Sequence, residues 1–236
     1  MLGLIIKAGY CVMILAALFE CSPRTARNAP IRESRADYSG NADNQMENTE
    51  ADKQVKLAAS FNAKAASLEV EYKVRNTTDK PIYVFNVILD TDKIETVSPF
   101  KFYSCLRDDG TVVLAKAIPK LPTLTSVEVR DIPYTTKIEP GKEFAEKVEV
   151  PLPLEEYSPY FQKDHNSKTE ERAAERVYLV LQFIQEQEAL EVKDTNIPNA
   201  FKVRHPELFT KVQTLKSDVR PVEIKVNRRL DTFERF

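Results

Sequence analysis

Residues 68–90 read LEVEYKVRNTTDKPIYVFNVILD, and the fold turns on them. Leu68, Val70, Tyr72 and Val74 alternate with Glu69, Glu71, Lys73 and Arg75. A period of two puts the apolar side chains on one face and the charges on the other, the pattern of a half-buried strand. The pattern breaks at Asn76-Thr77-Thr78-Asp79-Lys80-Pro81. Asn, Asp and Pro there favour a turn, and Pro81 is tolerated at the first position of the next strand. Ile82–Leu89 (IYVFNVIL) is then apolar at almost every position, as in a central strand covered on both faces.

Further along the chain, Arg107-Asp108-Asp109-Gly110 is a hairpin signal leading into Thr111–Leu114. A strand over about residues 126–138 meets the turn Glu139-Pro140-Gly141-Lys142. Phe144–Val150 returns as a strand and stops at Pro151-Leu152-Pro153. Val177–Ile184 (VYLVLQFI) predicts a second strongly apolar strand, and Val212–Leu215 and Val222–Val226 two more. Ser167-Lys168-Thr169-Glu170 has the spacing of a capping box before Glu171–Glu175 (ERAAE), which fits a short helix or a charged surface loop equally. About eight strands with turns at short intervals and little helix predict an all-β chain folded as an antiparallel β-sandwich.

Two stretches carry a resemblance. LEVEYKVRNTTDKPIYVFNVILD resembles the strand–turn–strand of bacterial immunoglobulin-like modules, and IEPGKEFAEKVEVPLPL (138–154) resembles the turn and returning strand that such modules carry. The resemblance spans about residues 55–187 and implies an exported immunoglobulin-like β-sandwich. It transfers no functional residue. Immunoglobulin-like inhibitors of cysteine proteases carry an NPTTG loop, whereas Asn76-Thr77-Thr78-Asp79 lacks its Pro and Gly. Pilus chaperones use a cationic cleft for which the sequence supplies no counterpart.

Before the strands, Ala8–Phe19 (AGYCVMILAALF) is an uninterrupted run of apolar and small residues behind Lys7. That is the layout of an export signal, and with Leu2–Ile6 added it approaches a membrane anchor. Cys21 follows, a candidate for lipidation, although Glu20 stands where a lipoprotein processing site takes a small residue. Residues 22–50 hold too few large apolar side chains to offset the entropy of ordering. The organisation expected is therefore a signal peptide or membrane anchor over 1–21, a disordered linker over 22–50 and the sandwich domain over 51–236. It places the protein outside the cytoplasm, periplasmic or membrane-anchored, touching the membrane through its N-terminus.

Beyond residue 50 the only glycines are Gly110 and Gly141, too few for a phosphate-cradling loop. A formal charge of −2 offers nothing basic enough for a nucleic-acid backbone. Cys105 is the one cysteine of the strand-rich part, and His165 and His205 are the only histidines, a thin supply for zinc. No cofactor, metal site or catalytic residue is expected, and the chain is not read as an enzyme. A hydrolase would have to pair Cys105 with the distant His205. The stretch Glu155-Glu156-Tyr157-Ser158-Pro159-Tyr160-Phe161 puts three aromatics on a proline-flanked loop, and Tyr157, Tyr160 and Phe161 are the candidate binding residues. The alternative is that these rings fold back over the core. The sequence thus points to a binding or scaffolding module whose partner is another envelope protein, with a protease inhibitor presenting loop 153–161 as the rival.

Overall fold

The computed structural model describes residues 55–90, 93, 95–121, 130–160 and 167–230. Its strands are β1 (Val55–Ala63), β2 (Ser67–Asn76), β3 (Ile82–Val87), β4 (Tyr103–Leu106), β5 (Thr111–Lys116), β6 (Tyr134–Ile138), β7 (Glu143–Pro151), β8 (Leu154–Glu155), β9 (Thr169–Gln185), β10 (Glu191–Asp194) and β11 (Phe201–Arg204). One helical turn, α1 (Leu208–Lys211), precedes β12 (Gln213–Lys216) and β13 (Arg220–Arg229). The predicted leader (1–21), its Cys21 and the linker (22–50) lie outside the described residues, as does the 126–129 part of the strand expected over 126–138.

The strands form two sheets. The smaller has the order β1-β2-β7 and is antiparallel throughout. The larger runs β10-β11-β6-β3-β9-β13-β8, with β12 also on β9 and the β4–β5 hairpin joined through β5. Two of its contacts are parallel, β5 with β9 and β8 with β13. The sheet is therefore mixed rather than purely antiparallel. Turn signals report only on strands adjacent in sequence, and these pairs are distant.

The two sheets share one core. Leu68, Val70, Tyr72 and Val74, the apolar positions of the alternation, are all buried and meet Ile82, Val84, Leu179, Leu181 and Phe183 of the larger sheet. Each such side chain contributes roughly 1.5–3 kcal/mol by leaving water. The wet face of β2 carries ion pairs instead, Glu69 accepting from Lys64 at 2.7 Å and Lys147 at 3.0 Å. The doubly apolar β3 is covered on both sides as its sequence predicts. Tyr83 and Phe85 leave the main core to pack with Ile184, Val203 and Leu208, beneath β11 and α1.

The segment 167–175 is neither helix nor surface loop. Thr169–Glu175 is the first part of β9, and β13 pairs it from Thr169 opposite Arg229 to Ala174 opposite Ile224. The helical preference of ERAAE amounts to a few tenths of a kcal/mol per residue. Ladder hydrogen bonds with a long partner outweigh it.

Asn76 holds the turns at one end together. Its side chain is wholly buried, its Nδ2 donating to the carbonyls of Lys80 (2.8 Å) and Ile138 (2.9 Å). Its Oδ1 accepts from the Thr78 amide (3.0 Å) and hydroxyl (2.7 Å). Its backbone exchanges hydrogen bonds with Lys142 and Gly141, and Gly141 adopts a φ of 72° that a side chain would resist. The β2–β3 turn is thereby tied to the β6–β7 turn. Asn76-Thr77-Thr78 has the form of a glycosylation sequon, but its amide nitrogen is buried with both hydrogens in use. Asn76→Ala strands buried backbone carbonyls, and we expect it to cost about 3 kcal/mol in urea unfolding. A loss under about 0.5 kcal/mol, the level of an ordinary surface substitution, would remove Asn76 from this role.

Candidate functional site

A lysine closes the wholly buried strand β5. Lys116 is only 2% exposed, and a buried ammonium must be compensated. Its Nζ donates to Glu146 Oε2 of β7 at 2.7 Å and to the Asn86 carbonyl at 3.1 Å. The ammonium also lies 5.1 Å from the ring centre of Phe102 and 5.6 Å from that of Tyr72. The Tyr72 hydroxyl donates to the same Glu146 oxygen. Asn86 is itself fixed, its Oδ1 accepting the Thr136 amide at 3.1 Å. The pair thus joins the two sheets, β5 of the larger to β7 of the smaller.

Burial lowers the Lys116 pKa, Glu146 opposes that fall, and the ammonium of Lys101 adds to it. Tyr72 moves the other way, pushed well above the ordinary phenol range by burial first and by the Glu146 charge second. In both, burial disfavours the charged form of the group.

The pair lines a cavity of about 310 Å³. Ile88, Val97, Phe100 and Phe144 supply its apolar walls, and Lys101, Lys116 and Glu146 its charges. A second cavity, of about 370 Å³, lies against the same Phe100 and Lys101 and is lined by Phe102, Pro151, Pro153 and Leu154. Phe100 stands between them, 45% exposed, beside Val97 at 40%. Its ring stacks on Tyr157 with centroids 4.0 Å apart and planes 13° from parallel. Tyr157 in turn lies 5.9 Å from Tyr103.

Of the predicted binding residues, Tyr157 belongs to this aromatic cluster, and Tyr160 is joined to Tyr103 through Asp131. Tyr157 is half-buried, and its backbone exchanges two hydrogen bonds of 3.0 Å with Ser104. The Tyr160 hydroxyl accepts the Asp131 amide at 3.0 Å, while the Tyr103 hydroxyl donates to Asp131 Oδ2 at 3.1 Å. Burial pushes the Asp131 carboxyl up, against the pull of that hydroxyl. Phe161, the third predicted residue, lies outside the described residues, as does His165. The stretch before them is drawn into the fold: Leu154, Glu156, Ser158 and Pro159 are all buried. Glu156 accepts the amides of Leu106 and Arg229, each at 2.7 Å, and so clamps β4 to β13.

Cys105 and His205 occupy different places. Cys105 is fully buried beside Val113 and Tyr178. His205 follows β11, its Nδ1 accepting the Glu207 amide at 3.0 Å. Among the described residues no group of three or more His, Cys, Asp or Glu is placed to hold a metal ion. None of the described helices is long and apolar enough to cross a membrane.

The sequence did carry a signal for the buried pair. In β7, Phe144, Glu146, Val148 and Val150 fall on one face, and Glu146 is the single charge on it. An acid at an apolar position of a period-two strand asks for a buried partner. No family model matches the chain, and neither a curated protein nor a solved structure does.

The pair predicts an asymmetry between two substitutions. Glu146→Gln leaves the Lys116 ammonium buried without a counter-charge and should cost about 3 kcal/mol in urea unfolding. Lys116→Met removes the buried charge itself, and the remaining carboxylate, 30% exposed, still reaches water and Tyr72. Its cost should be the smaller by at least about 1 kcal/mol. The opposite order would mean that Lys116, not Glu146, supplies the compensation.

Proposed function

We propose that the chain is a non-catalytic binding or scaffolding module of a cell envelope, built as an immunoglobulin-like β-sandwich and tethered through its N-terminal segment. Support for the fold lies in strand order. The order β1-β2-β7 packed on β6-β3-β9-β13 follows that of strands A-B-E packed on C′-C-F-G in immunoglobulin-like domains. Support for the tether lies in the apolar run Ala8–Phe19 ahead of Cys21 and the polar stretch 22–50.

The observation that carries binding is the exposed face of Phe100. A lone exposed aromatic is ordinary, but this one is held by stacking on Tyr157 and flanked by two cavities. A ring fixed in advance loses little entropy on contact, and aromatic anchors of this kind dominate protein interfaces. The partner in this reading is another envelope protein. Tyr157 acts as the base on which Phe100 rests.

The rival readings draw less support. An inhibitor that offers loop 153–161 to a protease cleft needs that loop to stand out, whereas its middle is buried and clamped through Glu156. A thiol hydrolase needs a reachable thiolate, and Cys105 has no exposed surface.

In the native host, a photo-crosslinking amino acid at Val97 of the full-length protein should trap a discrete envelope protein. The yield should fall at least tenfold with Phe100→Ala, and the same label at Lys56 on the wet edge should not trap it. A product insensitive to Phe100→Ala, or none at all, contradicts the proposal.

A further inference from the structure

We propose that the cavity closed by Lys116 binds a small organic carboxylate with an apolar body. This goes beyond the protein-binding role and does not rest on it.

The charges are out of balance. Two ammonium groups, Lys101 and Lys116, line the cavity with one carboxylate, Glu146. Glu146 is committed, because its Oε2 takes both the Lys116 ammonium and the Tyr72 hydroxyl. Lys101 makes no ion pair among the described residues; it is exposed and also borders the second cavity, whose lining holds Glu149 and Glu155. The two ammonium groups are like charges lining one cavity, and they repel each other. One bound anion relieves that repulsion. A cationic ligand would add to it, since the one carboxylate is already neutralised.

The walls decide the rest of the ligand. An inorganic anion would leave Ile88, Val97, Phe100 and Phe144 facing water, whereas an apolar body attached to the carboxylate covers them. A volume of about 310 Å³ is at the small end of ligand sites and restricts that body to roughly the size of one ring. Thr136 also lines the cavity, and its hydroxyl is a donor suited to a carboxylate oxygen.

Calorimetric titration of the full-length protein with phenylacetate, and with 2-phenylethylamine as the cation of the same shape, tests the assignment. Phenylacetate should bind one to one with a Kd below about 1 mM, a modest affinity suited to a partly exposed charge. Lys101 is exposed, so Lys101→Gln should leave folding intact and weaken phenylacetate at least tenfold. 2-Phenylethylamine should show no saturable binding. Equal binding of the amine, unchanged affinity in Lys101→Gln, or no phenylacetate binding would each overturn the proposal. The Val97 crosslink is read separately, so failure of either proposal is recognised on its own.

Discussion

The larger sheet depends on one strand that is used along both edges and on both faces. β9 spans 17 residues, roughly 55 Å of extended chain. β13 and β12 run along one edge of it, pairing first with Thr169–Val177 and then with Val180–Phe183. β5 and β3 follow one another along its other side, from Arg176 to Gln185. Val177, Leu179, Leu181 and Phe183 enter the core shared with the smaller sheet, while Tyr178 and Ile184 enter two clusters on the far side.

The position of the buried ion pair follows from that arrangement. Because β5 runs parallel to β9, Lys116 sits opposite Leu181, close to where β3 takes over the same side at Phe183. That places its ammonium against the Asn86 carbonyl and under the edge of the smaller sheet, where Glu146 meets it. Such a pair is not a cheap source of stability, since desolvating two charges offsets most of their attraction and a well-packed apolar pair would serve as well. The pair also forms part of a cavity wall that a second lysine, Lys101, lines.

Much of the fold is legible in the residues, and the failures have physical causes. The alternation in β2, the doubly apolar β3, the Asp109-Gly110 hairpin and the return through β7 all appear as strands and turns where their patterns put them. The first half of β9 does not, because a capping-box spacing and helix-favouring residues yield there to pairing with β13, over 40 residues away. The hairpin β10–β11 is hidden for another reason: Glu191–Asp194 is exposed along its whole length and shows no alternation of buried and wet positions. The candidate site was legible in part. Tyr157 and Tyr160 announce themselves as aromatics on a stiff loop, but Phe100 meets Tyr157, and Lys116 meets Glu146, only through contacts distant in sequence. Only Glu146 betrayed itself locally, as a charge on an apolar face.

Native-state hydrogen exchange tests the central place of β9 most directly, because protection reports how much of the structure must open to free each amide. The amides of Val177–Phe183 should exchange only through global unfolding, with those of Thr169–Ala174 protected as a paired strand and those of β10 the first to exchange. Fast exchange across Val177–Phe183, at the rate of β10, would contradict the account and leave the larger sheet without its organising strand.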